Sequence, residues 1–444
     1  MAESSGWPPV TSLGGRETET RNLAQAAAEG RCASLVGMSN VGKSFVLRAL
    51  ARTETGAGVS AFVYVDCNRM VEFTEQGFYE LVLRCLRSSL DSLAAALQQH
   101  YDDVVNPVSA FLAHLRFSQG ISAACEQAGR RIVFLLDEFD EVMAGIDDRV
   151  LLHLRALRDT YPERLSYVTA SGRRLSSLRR SHGSLEFAEL FAQDTHFLAP
   201  LADRAAAALA GQWAAEDGLA LTPADLPTLL AETGGHPGLL SAACRALSAL
   251  RQEAQAIGRA VSPAQVRERL DGDPACQQEC ARLWQELEQE ERSALLQPPP
   301  PDTEAPAWRA LAERYVVRRS EQGCGPFCQI FAAYLHRQRI ARQPDLRGVR
   351  VDVETGDVWV DGQRLGPLTG LEYRLLLLLY GRLDKIVDKY TVVEAVWGQE
   401  YIDEVDDARI EKLVSRLRSK IESNPAEPRY LLTVRGRGYR LVGP

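Results

Sequence analysis

No apolar run in this chain reaches the roughly 18 residues that a helix needs to cross a bilayer, so a membrane partner is not expected. The opening MAESSGWPPV lacks the basic-then-apolar pattern of an export signal, which predicts a cytoplasmic protein. No segment repeats at a 20–50-residue period, which excludes a solenoid or repeat array. Motifs of a nuclease, protease or toxin are absent, so any such effect would need a separate effector polypeptide. Cysteines are few and scattered: Cys32, Cys67, Cys85, Cys125 and Cys244 lie singly in apolar stretches, the pattern of buried reduced thiols. Two pairs differ, Cys276 with Cys280 and Cys324 with Cys328, each spaced C-x3-C. Four convergent thiolates would hold zinc. A spacing of four on a helix also just places two thiols on one face, and packed thiols are the favoured reading.

What is present is long enough for several cores: 444 residues imply two to four domains. Residues 32–201 alternate short apolar runs, CASLV, SAFVYVD, RIVFLLD, LSYVTAS and THFLAPL, with helical patterns. That alternation predicts a parallel sheet covered on both faces. From 202 to about 257 the chain is Ala/Leu-rich and helical, broken by Gly-Gly-His-Pro at 234–237. A further amphipathic helix at 280–296 precedes the proline run QPPPPDTEAP, after which a helix–hairpin–helix pattern runs to about 338. Beyond ARQPDLRG (341–348) the texture changes to short alternating strands, which predicts a last domain.

GMSNVGKS, Gly37 to Ser44, fits G-x-x-x-x-G-K-[ST] between a predicted strand and a predicted helix. Its glycines let backbone N–H groups wrap phosphate, Lys43 reaches the outer phosphates, and Ser44 completes a magnesium shell. Asp137 ends the apolar strand RIVFLLD, where it would hold magnesium, and Glu138 follows it. Glu138 either polarises the attacking water or caps the next helix.

These residues resemble the STAND class of signalling P-loop ATPases, kin of AAA+ and Orc/Cdc6-type ATPases. LGGRETET is similar to the family's GRE element, which implies Arg16 beside the nucleotide. TASGRRL stands at the sensor-1 position, implying that Arg173 or Arg174 meets the γ-phosphate. FLAPL resembles the hinge into the lid, and GGHPGLL the lid motif that sets Pro237 against adenine, with His236 beside it. The nucleotide contacts implied are Arg16, Gly37, Asn40, Val41, Gly42, Lys43, Ser44, Phe45, His236 and Pro237. The catalytic set is Lys43, Glu138, Arg173 and Arg174, with Ser44 and Asp137 on the metal and ATP or ADP with Mg2+ as ligands. The family's long C-terminal repeat array has no counterpart here.

The protein is acidic, 51 Lys+Arg against 59 Asp+Glu, yet it ends in RYLLTVRGRGYRLVGP. From Arg409 to Arg440 there are nine basic and three acidic residues, whereas Asp384 to Asp407 holds two basic and eight acidic. Such a dipolar domain presents one cationic face to phosphate. Arg409, Lys412, Arg416 and Lys420 recur at helical spacing, with Ile410, Leu413, Leu417 and Ile421 on the opposite, core-facing side. LTGLEYRLLLLL, VVEAVWG, SRLRSKIE and TVRGRGYRL resemble the OmpR/PhoB-type winged-helix domain of response regulators. The resemblance implies that Arg416 reads bases in the major groove of double-stranded DNA and Arg435 enters the minor groove. Lys412, Arg418 and Arg437 would touch phosphate, with Arg409 on the same stripe.

The expected architecture is an α/β P-loop NTPase domain (1–201) with a helical lid (202–260), followed by two winged-helix α+β modules, one internal (261–340) and one DNA-binding (346–444). The expected function is a slow ATPase switch coupled to DNA binding, a transcriptional regulator or DNA-engaging ATPase that forms a homo-oligomer with ATP. Rival readings are a DNA-loading ATPase, a defence or stress sensor acting on a separate effector, and an adaptor that keeps its nucleotide.

Overall fold

The computed structural model describes residues 14–52, 60–297, 305–320, 323–342, 348–352, 356–398 and 405–443. Leu13, most of the proline run and most of the 341–348 connection therefore lie outside the described residues. The chain divides into two compact units, Met1–Tyr334 and Leu335–Pro444, and the division falls inside the helix Gln329–Arg342. Among the described residues no helix is long and apolar enough to cross a membrane.

The first unit is built on a five-stranded sheet of β1 (Ala33–Val36), β2 (Ser60–Asp66), β3 (Arg131–Asp137), β4 (Leu165–Ser171) and β5 (Thr195–Phe197). Its order is β2-β3-β4-β1-β5 and every neighbouring pair is parallel. Strands β1, β3 and β4 are buried at each position, which is why they read as unbroken apolar runs. The register aligns Val36 with Ser171, and Asp66 with Asp137. The carboxyl ends of the central strands therefore meet at one edge, where ligands bind in open α/β sheets. The fifth strand is shorter than THFLAPL suggests. Leu198 still donates its N–H to the Val36 carbonyl at 2.7 Å, but Pro200 has no N–H and the chain leaves for the lid.

Helices Asp203–Glu216, Leu226–Thr233 and Pro237–Ala256 occupy the segment expected to form the lid. Gly234 ends the second of these in the left-handed conformation, at φ 60°. At Gly235 a Cβ would stand 2.2 Å from the Leu201 carbonyl oxygen, and Leu201 donates its own N–H to the Gly235 carbonyl. The hinge and the Gly-Gly-His-Pro break are thus one joint. Helices Pro263–Gly272, Pro274–Gln285, Gln289–Leu296 and Pro306–Glu313, the hairpin of β6 (Val317–Ser320) with β7 (Gly323–Pro326), and helix Gln329–Arg342 follow. Cys276, Cys280, Cys324 and Cys328 are all buried and none is in a disulfide. Burial pushes the Cys328 thiol up to about 12. Among the described residues no cluster of three or more metal-ligating side chains occurs.

After the end of helix Gln329–Arg342, the second unit holds a three-stranded antiparallel sheet of β8 (Val349–Val351), β9 (Val358–Val360) and β10 (Gln363–Arg364). Helices Gly370–Tyr380, Lys389–Val396 and Asp407–Ile421 follow, then the hairpin of β11 (Leu431–Val434) and β12 (Gly438–Leu441). Each helix starts on a side-chain cap, Thr369, Asp388 and Asp406 respectively. Ile410, Leu413, Leu417 and Ile421 are buried in one core with Leu375, Leu379, Val392 and Leu431, the division of faces that the spacing predicts.

Candidate functional site

The Gly37–Ser44 loop joins β1 to the helix Lys43–Arg52. At Gly37 a Cβ would lie 3.0 Å from Val41 and 3.2 Å from Leu198, and Gly42 holds φ 108°, so neither position takes a side chain without strain. Asn40 sits at φ 53°. Lys43 is buried, and its Nζ donates to the carbonyls of Gly37 at 2.9 Å and Met38 at 3.1 Å. It is the single lysine among the first 384 residues, the other basic groups there being arginine.

Asp137 is buried, and both of its oxygens are committed. Tyr64 donates its hydroxyl to Oδ2 at 2.6 Å, and the Glu138 N–H donates to Oδ1 at 3.1 Å. Arg48 in turn donates to the Tyr64 oxygen at 3.1 Å. Glu138 occupies φ 51°, a region that costs a non-glycine residue on the order of 1 kcal/mol or more. Burial raises the Glu138 pKa, Lys43 opposes the shift, and Asp137, Asp140 and Glu286 push it further up. Asp140, also raised by burial, accepts from the Gly172 N–H at 2.8 and 3.0 Å and so fixes the turn that carries Arg173.

The two arginines of that turn part company. Arg173 donates to Glu288 Oε1 at 2.6 Å and to the Glu286 carbonyl. Arg174 pairs with Glu313 at 3.1 Å and lies over the Phe197 ring, 4.7 Å from its centroid. Two more acids of the internal module reach the phosphate loop itself. Glu286 Oε2 accepts from the Ser39 N–H at 3.0 Å, and Glu279 accepts from Asn40 Nδ2 at 2.9 and 3.1 Å.

Arg16 is buried, and desolvation lowers its pKa. It donates to the carbonyls of Ala199 at 2.8 Å and Val41 at 2.7 Å, tying the hinge to the phosphate loop. His236 is fully buried and turned to the protein. Its Nε2 contacts the Ser39 carbonyl at 2.8 Å, and its Nδ1 accepts from the Leu239 N–H at 3.3 Å. Those partners require a neutral ring protonated on Nε2, and burial depresses its pKa to about 4. Beside these groups a cavity of about 570 Å³ is lined by Gly14, Arg16, Val41, Gly42, Phe45, Leu201, Leu209, Gln212, Trp213 and Pro237. Phe45 and Pro237 thus stand on its wall, whereas His236 braces the loop. Sequence reasoning did not pick out Tyr64, Asp140, Leu209, Gln212, Trp213, Glu279 or Glu286. A lone Trp in the Ala-rich AAAALAGQWAAED was the one signal available for this wall.

In the second unit Arg409, Lys412 and Arg416 are exposed along helix Asp407–Ile421, and Arg435 and Arg437 are exposed at the hairpin tip. Gly438, at φ 125°, brings β12 so close to Val387 that a Cβ would stand 2.1 Å from its carbonyl oxygen, which fixes where the tip points. Arg418 is turned inward onto the hairpin. Its Nε donates to the Leu431 carbonyl at 2.9 Å and one terminal nitrogen to Thr433 Oγ1 at 2.8 Å. Lys420 is exposed on the expected stripe and pairs there with the buried Glu372 at 2.7 Å.

Residues 12–171 match the family described as AAA ATPase domain, and residues 362–441 match the family of transcriptional regulatory proteins, C terminal. The uncharacterized transcriptional regulatory protein YrkP of Bacillus subtilis is 40% identical over 92 residues, 21% of this chain and 39% of that protein. The sensory transduction protein RegX3 of Mycobacterium tuberculosis is 40% identical over 95 residues, 21% of this chain and 40% of that protein. The chain thus spans 39–40% of the length of these relatives. Among solved structures, the Walker-type ATPase PABY2304 of Pyrococcus abyssi is similar over 74% of this chain and 98% of its own, with 14% identity and a TM-score of 0.49. The chain therefore joins an AAA ATPase domain to a C-terminal DNA-binding domain of the OmpR/PhoB type found in transcriptional regulatory proteins.

Proposed function

We propose that the chain is a STAND-like, ATP-operated switch whose output is binding to double-stranded DNA in transcriptional regulation. The side chains around the cleft suit a magnesium nucleotide. Gly42 sets no side chain over the loop, Lys43 has only carbonyls to release, and an apolar cavity of about 570 Å³, roomy enough for a base, adjoins it. Ser44 and Asp137 would hold magnesium, whose chemistry when bound is to offset charge on the phosphate oxygens. Lys43 would contribute the fixed positive charge on the outer phosphates. Glu138 would hold the attacking water and take its proton, and Tyr64 keeps the neighbouring Asp137 carboxylate oriented. Hydrolysis is slow in this reading because Arg173 is held by Glu288 and the Glu286 carbonyl.

The observation that carries the switching is the placement of Glu286. A phosphate oxygen arriving at the Ser39 N–H must displace this carboxylate, and displacing it loosens the internal winged module from the phosphate loop. Nucleotide occupancy and module position are then linked, and the linkage is reciprocal. The loosened state is the one we assign to assembly into a homo-oligomer, where several DNA-binding domains engage one duplex with added avidity. The test is the DNA affinity of the full chain with a non-hydrolysable ATP analogue, with ADP, and without nucleotide. Affinity at least fivefold tighter with the analogue supports the switch; three equal affinities sink it and leave a DNA-binding protein with an uncoupled ATPase domain.

A further inference from the structure

Gln212 lies on the wall of the apolar cavity, on lid helix Asp203–Glu216, next to Trp213. Its amide nitrogen Nε2 donates to Glu216 Oε1 at 2.9 Å, one helical turn along. A carboxylate only accepts, so this bond fixes which end of the carboxamide faces Glu216 and leaves Oε1 as the free polar atom. Of the other polar side chains of the wall, Trp213 offers only an indole donor, and Arg16, also donor-only, commits two of its nitrogens to the carbonyls of Ala199 and Val41. Phe45, Leu209 and Pro237 supply apolar surface. A heteroaromatic base entering this cavity would therefore meet flat apolar walls and one oriented hydrogen-bond acceptor.

We propose that Gln212 is the specificity-determining residue of the cleft, its Oε1 accepting from the exocyclic 6-amino group of adenine, with Glu216 as the positioning residue that keeps the carboxamide from flipping. The inference rests on the reading of the cleft as a nucleotide site and goes beyond it by naming how the base is chosen. A base with a carbonyl at the same position sets two acceptors against each other, so guanine and hypoxanthine are rejected. A purine with nothing at that position simply lacks the bond. Discrimination of this kind is strong when the site's polar group is left unpaired by the wrong ligand.

Equilibrium binding to the full chain with magnesium, by competition against a fluorescent ATP, tests this with three triphosphates: ATP, ITP and purine riboside triphosphate. The wild-type chain is expected to bind ATP about tenfold more tightly than purine riboside triphosphate, with ITP weaker still. In Gln212→Leu the three should converge to within about threefold. In Glu216→Ala the freed carboxamide can turn its Nε2 to a carbonyl, so ITP should gain on ATP while overall affinity holds. Glu216 is exposed, which keeps this second variant folded if the first is not. If Gln212→Leu retains the tenfold preference for ATP, another group reads the base and the inference falls while the nucleotide site stands. If the wild-type chain binds none of the three, the reading of the cleft falls and this inference with it.

Discussion

The Ser39 backbone N–H donates to Glu286 Oε2 at 3.0 Å, so a carboxylate from a helical module some 250 residues further along the chain rests on the loop built for phosphate. The same residue's carbonyl accepts from Arg173, which places Glu286 across both walls of the cleft. Its negative charge reaches Glu138 and Asp140 and helps raise the pKa of each. In the proposed switch an anionic ligand has to compete with this resident anion.

Removing that anion should favour the ligand. Glu286→Gln keeps the size of the side chain, cancels its charge and preserves the backbone carbonyl that holds Arg173. ATP affinity is expected to rise by roughly tenfold, the scale of one charge-assisted hydrogen bond lost from the competing state. Calorimetric titration of wild-type and variant proteins measures it. Unchanged affinity would mean that Glu286 moves aside without cost, and the competition has no energetic content.

Lys43 and Glu138 should separate binding from turnover. Lys43→Ala is expected to abolish ATP binding, because no second ammonium exists in the first 384 residues to replace it. Glu138→Gln should bind ATP and fail to hydrolyse it. The Glu138 pKa is raised by burial, so the ionised form that accepts a proton disappears on acidification earlier than for a free glutamate. Hydrolysis by the wild-type chain should accordingly fall on the acid side at a higher pH than a free glutamate would set. Wild-type turnover in Glu138→Gln would assign this residue to structure alone.

His236 predicts a pH-dependent clamp between lid and loop. Its folded pKa, about 4, lies below the ordinary value near 6.5, so the unfolded chain binds more protons between these limits. Stability therefore rises with pH across that window and is lost as pH falls through it, at most by about 3 kcal/mol for this one group. His153 is also depressed to about 4 by burial and adds a slope of the same sign. His236→Asn retains a capping acceptor for the Leu239 N–H and removes the titration. Its melting temperature should depend less on pH between 4 and 6.5 than that of the wild-type protein, and equal slopes would discard the assignment.

How much of this was legible depended on whether a residue's role is local. The parallel sheet, the Gly37–Ser44 loop and the two-faced helix Asp407–Ile421 follow from patterns within one segment, because burial on both faces and helical spacing write themselves into nearby residues. Glu279 lies on helix Pro274–Gln285 and Glu286 is its C-cap, both among other acids, and nothing in ECARLWQELEQEE separates a carboxylate facing the phosphate loop from one facing water. Only the tertiary placement of the module does so. Tyr64 was hidden for the opposite reason: in SAFVYVD an aromatic strand residue is the ordinary choice, and its bond to Asp137 depends on the register of β2 with β3. Arg418 shows the limit of a charge stripe. Helical spacing puts it near the cationic face, and its reach to the Leu431 carbonyl decides that it holds the hairpin.

That difference sets the last prediction. Arg416 is exposed with only solvent to lose, whereas Arg418 carries two hydrogen bonds between helix and hairpin. Arg416→Ala should leave the melting temperature of the DNA-binding domain within about 2 °C of wild type, as an exposed helix substitution does. It should lower discrimination at a specific DNA site by about 1–3 kcal/mol. Arg418→Ala should destabilise the domain by about 1–2 kcal/mol, since both hairpin acceptors lose their donor. Its weaker DNA binding should affect all sequences alike, through a misplaced Arg435–Arg437 tip. Salt separates the two further. With Arg409, Lys412, Arg416, Arg435 and Arg437 exposed, wild-type affinity should fall by a few hundredfold between about 50 and 200 mM salt, and Arg416→Ala should flatten that slope by about one charge. Thermal melts of both variants, with binding measured across salt on specific and random duplexes, check each part. Should Arg418→Ala melt like wild type and lose only DNA contacts, the hairpin does not depend on it, and Arg418 returns to the phosphate-binding stripe.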